Sequence, residues 1–188
     1  MSVPNQRWLR LGVLTSLVER SPNKLGRTAV MKLAFLLQTV KGVPLGYNFR
    51  LYTYGPFDGD VLNDLAQAET LKAVESSMVY FNGGYGYEFT PGPGRQAIQA
   101  MAGLELNRID SEVSWALQEF AGKSAGDLEL LATIVYADRQ GQRLSFADLC
   151  RQVKGIKPRF TDEYILKNIE LLSGMRLLRA AAPSGPAG

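Results

Sequence analysis

Apolar positions crowd residues 28–40, TAVMKLAFLLQTV, more than any other stretch of the chain. Nine of the thirteen are apolar, and they fall on nearly every side of a helix with about 3.6 residues per turn. That pattern predicts a helix buried all round rather than along one stripe. Lys32, Gln38 and Thr39 are its few polar exits. Such a helix needs partners on several faces, so its flanking segments are expected to wrap it.

Residues 5–20 read as a preceding helix. Trp8, Leu11, Leu14 and Val18 share a face, Leu17 lies beside it, and Arg10, Ser16 and Glu19 point elsewhere. Ser21-Pro22-Asn23 breaks it. The Thr28 hydroxyl is placed to cap the central helix, and Gly42 and Pro44 to end it. Tyr47, Phe49, Leu51 and Thr53 then alternate with Asn48, Arg50, Tyr52 and Tyr54, which predicts a strand. Tyr54-Gly55-Pro56 reads as a turn. Asp58 reads as the cap of a helix over 59–71, with Val61, Leu62, Leu65, Ala66 and Leu71 inward. Residues 73–90 read as an aromatic hairpin turning at Asn82-Gly83-Gly84, where glycine supplies positive φ. A helix over 95–104 follows.

The order helix, helix, strand, helix, hairpin predicts a winged helix over residues 1–104, so the fold class is mainly α with a small β-hairpin (α+β). Residues 105–179 read as a second, more purely helical unit. Ile109, Val113, Ala116, Leu117 and Phe120 form one apolar stripe, and Leu128, Leu131, Ala132 and Val135 another. Ser145 opens a helix with Phe146, Leu149, Cys150 and Val153 inward, and Thr161 caps a last one with Ile165, Ile169 and Leu172 inward. The successive helices make a candidate helix-turn-helix without an evident wing. The tail 180–188, AAPSGPAG preceded by Ala180, is low in complexity and expected to be disordered.

Composition narrows the chemistry. The chain has no histidine and one cysteine, Cys150, which removes the usual general base, every histidine triad and a closed zinc site. The expectation is a non-enzymatic protein without cofactor or metal. A single cysteine suits a reducing cytosol, and no apolar run reaches the ~20 residues of a bilayer span. The opening MSVPNQRWLR lacks the apolar core of a signal peptide, so a cytoplasmic location and no membrane partner are expected. Net charge is +3, too small to diagnose a nucleic-acid binder.

Three stretches carry a resemblance. They are Gly26-Arg27-Thr28 running into MKLAFLLQ, Tyr52-Thr53-Tyr54-Gly55-Pro56-Phe57-Asp58 running into VLNDL, and DLELLATIVY followed by VKGIKPRFTDEYILKNIELLSG. Together they resemble a widespread set of small prokaryotic winged-helix proteins, across most of residues 26–175. The first two are also similar, more distantly, to the Panacea domain found in antitoxins. The resemblance implies a winged-helix fold, supplies no catalytic motif, and implies a regulatory or antitoxin-like role.

Two interaction surfaces compete. Residues 151–159, RQVKGIKPR, hold Arg151, Lys154, Lys157 and Arg159 and no carboxylate, in the turn where helix-turn-helix proteins often touch phosphate. With Arg27 and Lys24 they form the candidate contact with DNA or another anionic partner. The alternative is a protein partner. The helix over 59–71 shows Asp60, Asn63, Asp64, Gln67 and Glu69 outward and no cation, which disfavours phosphate. Beside the hairpin tyrosines Tyr80, Tyr85 and Tyr87 it offers an acidic and aromatic surface. Other motifs read as structure: Asp58, Asp60 and Asp64 as a cap and a solvated face, the glycine-rich stretches 82–86 and 91–95 as turns, and Cys150 as core.

Overall fold

The computed structural model describes residues 3–81 and 83–181. Along the chain run α1 (Val3–Arg20), β1 (Leu25–Gly26), α2 (Arg27–Lys41), β2 (Arg50–Tyr52), β3 (Gly55–Phe57), α3 (Gly59–Thr70), β4 (Val74–Phe81) and β5 (Gly84–Pro91). Five further helices follow: α4 (Arg95–Arg108), α5 (Asp110–Phe120), α6 (Ala125–Asp138), α7 (Phe146–Ile156) and α8 (Asp162–Gly174). The protein is mainly helical with a small antiparallel sheet. It divides into two compact units. The first takes the chain up to Arg50 with Phe57–Ala125, and the second takes Leu51–Pro56 with the chain from Gly126.

In the first unit α2 is buried at every position from Val30 to Leu37, as its unbroken apolar pattern predicts. Lys32, expected as a polar exit, is buried with them. The helix starts earlier than expected. Gly26, extended and without a side-chain cap, precedes it, so Thr28 lies inside the first turn. The cause is β1, which pairs with β5 (Leu25↔Phe89, Gly26↔Glu88) and leads straight into the helix. At the other end Gly42, with φ 68°, closes it as predicted.

The preceding helix α1 is buried continuously from Leu11 to Val18 rather than on one face, because α4 crosses one side while α2, α3 and α5 also contact it. Gly12 permits the crossing: a Cβ there would stand 2.7 Å from the Ala102 Cβ. Arg10 also turns inward. Its guanidinium donates to the Leu45 and Gly46 carbonyls at 2.6 and 2.7 Å.

The strand expected over 47–54 is mostly absent. Tyr47 pairs instead with the Gln38 side chain, which donates to its carbonyl and accepts from its N–H, each at 2.8 Å. Only Arg50–Tyr52 forms a strand, paired with β3. Asp58 caps α3 as predicted, accepting from the Asp60 N–H at 2.9 Å. The buried stripe of α3 is Val61, Leu65 and Ala68, while Ala66 and Leu71, expected inward, are exposed.

The hairpin forms as predicted, with Tyr80 opposite Tyr85 and Phe81 opposite Gly84. Asn82 of its turn lies outside the described residues. With β1 on one edge, the sheet is antiparallel in the order β1-β5-β4. α4 runs past the predicted 104 to Arg108, kinked at Gly103. α5 buries Val113, Ala116, Leu117 and Phe120 and packs against α1 and α2. The boundary expected at 104/105 therefore falls at 125/126, since α5 completes the first core.

The second unit packs α6, α7, α8 and the turn 51–56. Ser145 and Thr161 cap α7 and α8 as predicted, accepting from the Asp148 and Tyr164 N–H groups at 3.1 and 3.2 Å. The expected inward residues of both helices are buried. Gly55 has φ +82°, and a Cβ on it would stand 2.7 Å from Thr133 Oγ1, so the turn sits on α6 only as glycine. The order helix, bridging residue, helix, helix, extended segment repeats that of the first unit, with Ser145 bridging Ala181 in parallel.

Buried Asp138 holds that extended segment. Its carboxylate accepts from the Ala180 and Arg179 N–H groups at 2.7 and 2.8 Å and pairs with Arg139 at 2.7 Å. Ala180 and Ala181, expected in a disordered tail, are therefore fixed. Residues 182–188 lie outside those described.

Asp138→Ala strands the arginines and two N–H groups and is expected to cost ~3–5 kcal/mol in urea unfolding, with loss of exchange protection at the Arg179 and Ala180 amides. A second expectation concerns acid. Burial pushes the Glu19 carboxyl up, but hydrogen bonds from Gln99 and Arg95 and the Arg95 charge outweigh it, and its pKa falls below the ordinary 4.5. The stability it contributes is present above that value and lost as pH drops through the lowered one. Glu19→Gln should flatten this acid limb in melts recorded from pH 5 downwards.

Candidate functional site

The basic stretch 151–159 is the second half of α7 and the start of the turn that joins it to α8, and its charges are used locally. Lys157 is 3% exposed. Its Nζ lies 2.5 Å from Glu129 Oε1 on α6 and donates to the Thr53 carbonyl at 2.5 Å. Arg159 pairs with the other Glu129 oxygen at 3.0 Å and lies over the Phe160 ring. Lys154 donates to the Phe160 and Pro158 carbonyls at 2.6 and 3.2 Å, closing the turn after the helix, and Asp162 lies 3.7 Å away. Arg151 pairs with Asp148 one turn back. The structure places the four cations of the expected phosphate-binding patch differently. Lys157 is a core cation, Lys154 serves the backbone, and Arg151 and Arg159 are exposed but each faces a carboxylate.

The acidic face of α3 is also smaller than its sequence indicates. Asp64 is half-buried, accepts from the Tyr47 hydroxyl at 2.8 Å and faces Arg10 at 3.8 Å. Burial holds its carboxyl above the ordinary range, against the pull of Tyr47 and Arg10. Gln67 accepts from Arg7 at 2.9 Å. Asp60 and Asn63 are exposed and bond to each other at 3.3 Å. Arginines of α1 thus supply the cations that α3 lacks.

Candidates from both surfaces meet in a third place. A cleft of about 860 Å³ opens in the first unit between the β1–α2 junction, β5 and the segment after α5. Lys24 and Arg27 line one wall, Tyr85 and Tyr87 another, and Lys123 a third. The Arg27 guanidinium carbon sits 3.8 Å over the Tyr87 ring, close enough for a cation–π contact. Tyr85 meets Tyr87 edge to face at 6.1 Å. Lys24 pairs with Glu88, the one carboxylate of the lining among the described residues, at 3.7 Å. Lys123 makes no ion pair among the described residues.

The first turn of α2, without a side-chain cap, also lines the cleft and adds the positive end of the helix dipole. Tyr80 stands clear of the core at 82% exposure, and Tyr85 at 61%. Lys123 escaped the sequence reading because it is a lone loop cation, brought here only by the packing of α5 on α1 and α2.

Elsewhere the chemistry is quiet. Burial, then the Asp162 carboxylate, pushes the Cys150 thiol up, which disfavours the thiolate a nucleophile requires. Among the described residues no cluster of His, Cys, Asp and Glu could hold a metal ion, and no helix is long and apolar enough to cross a membrane. No family model matches the chain, and no curated protein matches it.

Lys157→Ala leaves Glu129 buried with its main partner gone and is expected to cost ~3–5 kcal/mol. Arg151→Ala, at an exposed pair, should stay within about 0.5 kcal/mol. Urea unfolding of the two variants beside the parent checks both.

Proposed function

We propose that this protein is a non-enzymatic winged-helix regulatory or accessory protein that contacts nucleic acid through the cleft beside its wing. The observation that carries the reading is the convergence of Lys24, Arg27 and Lys123 with Tyr85 and Tyr87 in one cleft. Cations take phosphate and aromatic faces take bases. The contact first expected at 151–159 thus moves to the first unit, where Lys24 and Arg27 were already candidates. This keeps the regulatory role implied by the resemblance to small prokaryotic winged-helix proteins.

One observation favours a second reading. Met78, Tyr80 and Tyr85 are exposed on the same face of the wing, and aromatic and Met side chains are enriched in protein interfaces. An antitoxin-like protein partner would use that face.

The test is fluorescence anisotropy with labelled single- and double-stranded oligonucleotides. Binding is expected at low salt and should weaken with a log–log salt slope of about −2 to −3 for three phosphate contacts. The combined change Lys24→Ala, Arg27→Ala and Lys123→Ala should lower affinity at least about tenfold, with thermal melting unchanged. Absence of binding to any oligonucleotide at low salt removes this reading in favour of the protein partner.

A further inference from the structure

Resting on the nucleic-acid reading, we propose that the cleft receives an unstacked base together with its own phosphate, so that its ligand is a single strand rather than a duplex. The argument begins with size. A cleft of about 860 Å³ lies within the range of small-molecule sites, ~300–1,000 Å³. A nucleotide fits that scale. A duplex presents an unbroken cylinder whose major groove alone is ~12 Å wide.

The second step is the chemistry of the walls. In a duplex both faces of each base are covered by neighbours, and an aromatic wall gains nothing from it. Here the aromatic groups are set for stacking. Tyr85 stands 61% exposed, held edge to face against Tyr87 at 76°. Arg27 lies over Tyr87, is exposed and lines the same cleft. Single-stranded bases stack on both kinds of surface. Lys123 and Lys24, on other walls of the same cleft, supply the charge for the adjoining phosphate.

The third step excludes the usual duplex reader. In a winged helix docked on duplex DNA, α3 would enter the major groove. Its exposed polar residues here include Asp60 and Asn63, and the helix has no Lys or Arg of its own. The helix thus brings no cation of its own to the phosphates flanking the groove.

Glu88 makes the assignment testable in the direction of gain. Among the described residues it is the only carboxylate in the lining, and it pairs with Lys24. Neutralising it removes a repulsion and releases a cation toward the phosphate.

The same chemistry, a base with its phosphate, is offered by a strand or by a free nucleotide. The experiment uses the full chain, labelled (dT)12, a labelled 12-base-pair duplex, and thymidine monophosphate as competitor. (dT)12 is expected to bind at least about tenfold tighter than the duplex at equal salt. Tyr85→Ala should weaken (dT)12 about tenfold or more, and Tyr85→Phe should restore it, a rescue that follows from the ring and not from wing folding. Glu88→Gln should tighten binding about threefold or more. Displacement of (dT)12 by equimolar monophosphate assigns the free nucleotide, and resistance assigns the strand.

Duplex bound as tightly as (dT)12, with Tyr85→Ala silent, overturns the base-pocket assignment and leaves the nucleic-acid reading standing. No binding of either oligonucleotide overturns both.

Discussion

The second unit depends on one buried pair. Lys157 and Glu129 are almost fully removed from water, and burying two charges costs several kcal/mol per ion unless geometry compensates. Here it does. Lys157 reaches one carboxylate oxygen and the Thr53 carbonyl, while Arg159 takes the other oxygen. The pair therefore fixes position rather than adding bulk stability. It joins the end of α7 to the middle of α6 and pulls in a turn 104 residues away in sequence. Gly55 completes the fit, since no Cβ could pass the Thr133 hydroxyl. A fragment starting at residue 126 would lack the Thr53 carbonyl and leave a buried lysine under-satisfied. The unit is thus defined by its electrostatics and not by chain continuity.

What the sequence made legible was local. The caps at Asp58, Ser145 and Thr161 span two or three residues, and short polar side chains beside an apolar periodicity announce them. The hairpin was readable for the same reason, as two aromatic runs around Asn82-Gly83 fix their own register. The misplaced start of α2 shows the limit. Thr28 has the right chemistry for a cap, but β1 pairs with β5 more than sixty residues on and carries the chain into the helix early. Strand 47–54 failed likewise, because Gln38 offered Tyr47 the two bonds a strand neighbour would have made.

Charge was the least legible property. Four cations in nine residues looked like a surface patch, yet the carboxylate that neutralises two of them sits on α6. The aspartates of α3 looked like an uncompensated acidic face, yet Arg10 of α1 stands beside Asp64 and Arg7 binds the same helix at Gln67. Both errors share a cause. A linear count assigns each charge to its own segment, whereas helices crossing in space exchange partners. Among the described residues that line the cleft, Lys123 and Arg27 make no ion pair, and Arg27 lies against a ring and not a carboxylate.

That remainder explains why the cleft, and not the more basic turn, is suited to a ligand. A cation already held by a carboxylate must lose that partner before it can serve a phosphate, which erases much of the gain. A cation stacked on tyrosine loses nothing comparable. The ring holds the guanidinium through its quadrupole and reduces the side-chain entropy lost on binding. Lys24 occupies the middle ground: its exposed pair with Glu88 spans 3.7 Å, weak enough in water to exchange for a phosphate oxygen. The wing thus carries its aromatic surface beyond the needs of its own core, and the β1–α2 junction brings Arg27 to share it.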